Sequence, residues 1–128
     1  MPEKTLAPVA VSDSDLNWVR LTEDAEICEG FRSGSDYPMP NLAAGFVRCN
    51  AGFRFSWEIP HDEVIYVAEG RLEVSSPAGK VTAAAGEFIY LQEGTEMEYF
   101  FEEDSKALWV CYPTSKVISA MKEINVRS

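Results

Sequence analysis

His61 and Glu63 stand two residues apart in the stretch Trp57-Glu58-Ile59-Pro60-His61-Asp62-Glu63. In an extended chain, alternate residues share one face, so Trp57, Ile59, His61 and Glu63 fall on one parity. An imidazole and a carboxylate on one face are groups that move protons near neutral pH or hold a divalent cation. Kept among apolar neighbours, Glu63 would have a raised pKa and suit general acid or base work. Paired with Arg48 or Arg54, it would instead complete a polar network. His61 is the chain's one histidine, so it supports no Ser-His-Asp arrangement, and Pro60 beside it marks a turn. That makes it a pocket-rim or surface histidine, with metal ligand as the alternative. A later segment places Met97, Tyr99 and Phe101 on one parity. Tyr90, Tyr99 and Cys111 offer further polar contacts or plain core side chains. Cys111, between Val110 and Tyr112, reads as a buried strand residue rather than an activated thiolate.

The elements that must position these groups are short. About ten apolar segments, from Asn17 to Tyr112, alternate with turn signals at Gly30, Gly34, Pro38, Pro40, Gly70, Gly79, Gly86 and Gly94. Alternation at period two with β-branched and aromatic residues predicts strands, and so many of them predict an all-β sandwich or barrel. After Pro113, Val117, Ile118, Met121 and Ile124 recur at helical spacing with Ser115 as a cap, predicting a short C-terminal helix. Residues 1–15, with Pro2, Pro8 and a Ser-Asp cluster, read as a flexible arm before a single domain over 16–128.

A chain of 128 residues is large enough to bury a core without staples. Its net charge of -10 repels nucleic acid and anionic lipid. Three cysteines, an odd number at wide spacing, fit a reducing cytoplasm, and the N-terminal stretch shows no leader and the chain no membrane-length apolar run.

Two glycine-anchored stretches add specific information: His61-Asp62-Glu63 through Glu69-Gly70-Arg71, and Ala85-Gly86-Glu87 through Gly94. They resemble the two motifs of the cupin family. Trp57, the Asp62-Glu63 pair, Tyr66-Val67-Ala68-Glu69-Gly70, Ala44-Gly45-Phe46 and Tyr112-Pro113 resemble the EutQ branch of that family, over about residues 36 to 114. The resemblance implies an all-β, jelly-roll barrel, a homodimer, and an interior lined by Trp57, Ile59, His61, Met97 and Tyr99, with Tyr90 as a further ligand contact. It places Glu63 at the family's glutamate and puts Trp57, Ile59 and Met97 where metal-dependent cupins have histidines. The usual metal site is therefore expected to be lost. A displaced divalent site would use His61, Glu63 and one of Glu96 or Glu98. The function expected is binding of a small metabolite inside the barrel in an accessory role. The alternative is a small-molecule enzyme (lyase, isomerase or metal-assisted) using Glu63 as acid-base or ligand. With no GxxxxGK or glycine-rich phosphate cradle, kinase chemistry is not expected.

Overall fold

The computed structural model describes residues 8–31, 42–113 and 125–127. Its strands are, in chain order, β1 Val19–Thr22, β2 Ala25–Phe31, β3 Ala43–Cys49, β4 Arg54–Glu58, β5 Asp62–Glu69, β6 Arg71–Ser76, β7 Gly79–Ala84, β8 Phe88–Leu91, β9 Glu96–Phe101, β10 Ser105–Tyr112 and β11 Asn125–Arg127. They form two antiparallel sheets, one in the order β1-β2-β3-β10-β5-β8 and the other β11-β4-β9-β6-β7. The all-β expectation holds.

Period-two patterning does the sorting. Along β10, Ala107, Trp109 and Cys111 are buried while Leu108 and Val110 between them are only half-buried. β4 and β9 send Phe55, Trp57, Tyr99 and Phe101 into the space between the sheets. Rings fill that space: Phe55 stacks on Tyr99 with centroids 4.3 Å apart, and Phe53 on Phe101 at 6.1 Å. Each such ring removes a large apolar area from water and gains further from offset stacking.

Two glycines are fixed by the backbone around them. Gly70 turns β5 into β6 with φ +88°, and a Cβ there would also lie 2.1 Å from Ser105 Oγ. Gly45 lets β2 and the Trp109 ring close on β3.

The helix expected from Val117, Ile118, Met121 and Ile124 lies outside the described residues. Asn125–Arg127 beyond it is a strand, paired antiparallel with Arg54–Ser56 of β4. Of the expected arm, Asp13–Asp15 form a 3₁₀ turn closed by a Ser12 capping box. Asp13 is tied to Lys106 of β10 by a hydrogen-bonded ion pair. The chain is therefore anchored earlier than residue 16. Among the described residues, no helix is long and apolar enough to cross a membrane.

The anchor has a pH signature. The Lys106 hydrogen bond and charge hold the Asp13 carboxyl below its ordinary 3.8. A carboxyl depressed in the folded state stabilises it above the unfolded value, and that contribution is lost as pH falls through the folded value. Asp13→Asn is therefore expected to lower the urea midpoint at pH 6, with the gap to the parent narrowing as the pH is taken below 3.8. An equal gap throughout would rule the anchor out.

Candidate functional site

The chain passes from β4 to β5, and so from one sheet to the other, through Ile59-Pro60-His61. Ile59 pins this crossing, its N–H donating to the Thr95 carbonyl and its carbonyl accepting from the Gly94 N–H. His61 is thereby turned inward and is fully buried, at 0 % exposure, so it is neither a rim nor a surface residue. Two residues on, Glu63 enters β5 and is also buried, at 7 %. The register of β5 against β10 sets Cys111 beside Glu63, and that of β5 against β8 sets Leu91 on its other side. From the opposite sheet the Tyr99 hydroxyl donates to Glu63 Oε1 at 3.2 Å.

These side chains form one cluster. His61 Nε2 lies 3.4 Å from Glu63 Oε1 and 3.0 Å from Cys111 Sγ. The three donor atoms all lie within 4.8 Å of one another. Trp57 covers the imidazole edge-on, with centroids 5.5 Å apart. Its indole N–H acts on the Tyr99 oxygen, yet makes no hydrogen bond of good geometry.

Burial dominates the electrostatics. It raises the Glu63 carboxyl above the ordinary carboxylate range, against the opposing pull of His61 and of the Tyr99 hydrogen bond. Burial likewise raises the Tyr99 phenol, with the Glu63 charge adding to it. The Cys111 thiol is raised by burial and then by Glu63. Tyr99 is accordingly a neutral donor and Cys111 a thiol at neutral pH.

The residues expected around Glu63 separate into two groups. Trp57, His61 and Tyr99 surround it; Ile59 is buried at the crossing. Tyr90 stands apart from Glu63, because its parity on β8 is opposite to that of Leu91; it is 61 % exposed and lines the groove between β7 and β8. Glu96 and Glu98 are on the outward parity of β9, opposite Glu58 and Ser56 of β4, so they cannot complete a cation site with His61. Arg48 and Arg54 also face out: Arg48 binds Glu26 and stacks over Trp18, and Arg54 covers Phe100. Neither pairs with Glu63. Cys111, expected as a further polar contact or a plain core side chain, is a member of the cluster. Its parity with Ala107 and Trp109 marked it as inward, but only the β5–β10 register puts it against His61.

The positions where metal-dependent cupins carry histidines do not suit a metal. Trp57 offers only a donor N–H, Ile59 a hydrocarbon, and Met97 a thioether at the edge of the core.

Two voids adjoin the cluster. One of about 30 Å³, bounded by Phe55, Trp57, Glu63, Tyr99 and Trp109, lies within the barrel. It has room for about one water-sized group, not a metabolite. The other, about 650 Å³, is a groove between the edge strands β7 and β8, with Val74, Ala83, Ile89, Leu91 and Met97 lining it. The larger void is the right size for a small molecule, while the smaller one meets the cluster at Glu63 and Tyr99. Leu91, the strand neighbour of Glu63, belongs to the larger void.

Comparison with known proteins places this arrangement. The sequence model of the family "ethanolamine utilisation protein EutQ" matches residues 34–117. A curated relative, acetate kinase EutQ of Clostridioides difficile, is 28% identical over 74 residues, which is 58% of this chain and 46% of that protein. The chain spans less than half the length of the curated relatives it matches. The solved structure of the Clostridium difficile EutQ protein superposes with a TM-score of 0.63 at 26% identity, covering 82% of this chain and 81% of that one. An RmlC-like cupin from Shewanella frigidimarina superposes with a TM-score of 0.71 over 88% of this chain and 96% of its own, at 13% identity, a likeness of fold alone.

Proposed function

Because the chain belongs to the ethanolamine utilisation protein EutQ family, we propose that it is a small-molecule-binding cupin whose ligand sits in the groove between β7 and β8. The observation that carries this reading is the groove itself: about 650 Å³, open between β7 and β8, which among the described residues are the edge strands of their sheets, with Leu91 and Met97 joining it to the buried cluster. The void beside Glu63, about 30 Å³, is smaller than a metabolite, which supports a seat at this mouth rather than deeper in the barrel.

The family's name directs the choice of ligand to small amino alcohols of the ethanolamine class and their two-carbon products. A net charge of -10 favours the cationic amine by long-range steering. Kinase chemistry, the activity named for the longer relatives, calls for a phosphate cradle; the cluster here offers a carboxylate, an imidazole and a thiol in an apolar wall. Three buried free cysteines accord with a reducing cytoplasm.

Ligand-observed NMR against ethanolamine, acetaldehyde hydrate and acetate tests the reading. Saturation transfer from one of these, lost when Val81→Trp, at an exposed position on the groove wall, fills the groove, is the expected result. If all three stay silent at millimolar concentration, or if the signal survives Val81→Trp, the groove is not their seat.

A homodimer is part of the same proposal. The outer face of the six-stranded sheet is apolar where proteins are ordinarily polar. Val64 and Tyr66 on β5 are flanked by Tyr90 and Phe88 on β8, and by Val110 and Leu108 on β10, in matching register. Phe88 is 69 % exposed and Tyr66 41 %. A contiguous apolar face of this kind marks an interface, and a second copy of the same face is its simplest complement.

A further inference from the structure

The buried cluster has a use that groove binding does not employ. We infer that His61, Glu63 and Cys111 form a three-ligand site for a zinc-class divalent ion, with the fourth coordination position open toward the small cavity beside Tyr99 and Trp57. The inference does not depend on what the groove binds, and its test reads the ion itself.

The donor set argues for a borderline ion. A thiolate sulfur, an imidazole nitrogen and a single carboxylate oxygen match the ligands of zinc and of its close substitutes, whereas magnesium and calcium take oxygen alone. The donors come from the strand crossing, from β5 and from β10. Elements of a rigid sandwich thus hold them without any loop having to close.

The distances fit. Zinc bond lengths and a tetrahedral angle put nitrogen and oxygen ligands about 3.4 Å apart and nitrogen and sulfur about 3.6 Å apart. The observed separations are 3.4 Å from His61 Nε2 to Glu63 Oε1 and 3.0 Å from His61 Nε2 to Cys111 Sγ. The first already matches, and the second opens by a small rotation of the Cys111 side chain. All three donor atoms lie within 4.8 Å of one another, and all three residues are buried.

The surroundings point the same way. Carboxyl, imidazole and thiol are gathered here in an apolar barrel with their donor atoms converging, and one cation would engage all three together. The cavity of about 30 Å³ bounded by Glu63, Trp57 and Tyr99 admits a single water as fourth ligand. The Trp57 indole N–H, buried on its wall and without a well-formed hydrogen bond, is a ready donor to such a water.

Binding balances simply. His61 Nε2, Glu63 Oε1 and Cys111 Sγ each supply one lone pair; the thiol proton, and any proton held by Glu63, passes to solvent.

The test is a cobalt titration. Protein stripped with chelator is titrated with CoCl₂, and a near-ultraviolet thiolate-to-cobalt charge-transfer band is expected to saturate near one equivalent, as a single closed set of ligands requires. ZnCl₂ should bleach the band, Cys111→Ser should abolish it, and Cys28→Ser and Cys49→Ser should leave it. Absence of a band in the parent protein, or a band that survives Cys111→Ser, overturns the site. Should Cys111→Ser fail to fold, X-ray absorption of the zinc-loaded parent decides the matter. One sulfur at about 2.3 Å supports the site, and a shell of nitrogen and oxygen only refutes it.

Discussion

Gly45→Ala is expected to lower the unfolding free energy by about 3 kcal/mol or more, at the upper end of what overpacking costs. The methyl group would fall 1.9 Å from the Cys28 carbonyl oxygen and 2.6 Å from the Trp109 ring. A ring can rotate away, but the carbonyl belongs to β2, which is paired to β3 along its length. Relief would mean prising β2 off the sheet. The distinction can be measured by urea unfolding in a double-mutant cycle. If backbone is the obstacle, Gly45→Ala should cost as much in a Trp109→Leu background as in the parent protein. Substantial recovery in the double variant would mean that the ring was the obstacle and the strand spacing is less constrained than described.

Replacing Val64 and Tyr66 together by aspartate is expected to turn a dimer into a monomer without unfolding it. Both side chains point away from the core, so the fold loses little. In an interface related by a two-fold axis each of the two new charges is buried twice, and at about 2–3 kcal/mol per unpaired charge the association weakens by about 8 kcal/mol or more, roughly 10⁶-fold. Sedimentation velocity at micromolar concentration, with circular dichroism to confirm an unchanged fold, reads this directly. A parent protein that sediments as a monomer, or a double aspartate variant that remains dimeric, would remove this face from consideration. The run Val64-Ile65-Tyr66-Val67 is apolar on both parities, a pattern of strands covered on two sides, and it carries the clue to this face within the sequence.

The strand pattern was legible because alternation is local. A residue's parity is fixed by its neighbours two positions away, so Trp57, His61 and Glu63 could be assigned to one face from the sequence, and the structure brings them together. The same reasoning puts Tyr90 opposite in parity to Leu91 and so away from Glu63, and the structure places it on the wall of the groove beside β7. His61 was harder to place. Pro60 does mark a turn, but this turn carries the chain between sheets, and a crossing between sheets faces the core rather than solvent. Glu96 and Glu98 were grouped with Glu63 for their charge, whereas the parity that directs Met97 and Tyr99 toward the core turns both carboxylates outward.

By itself the sequence determined the all-β class, the shared parity of Trp57, His61 and Glu63, and the family. Each of these follows from residue type and short-range spacing, which act along the chain. Tertiary structure alone decided that Cys111 meets His61 across 50 residues of chain, that Tyr99 reaches Glu63 from the other sheet, and that the void beside Glu63 is small while the groove between β7 and β8 is large. Those outcomes depend on strand register and on how closely the two sheets approach. Register is selected by the summed packing of every paired strand, so no single segment contains it.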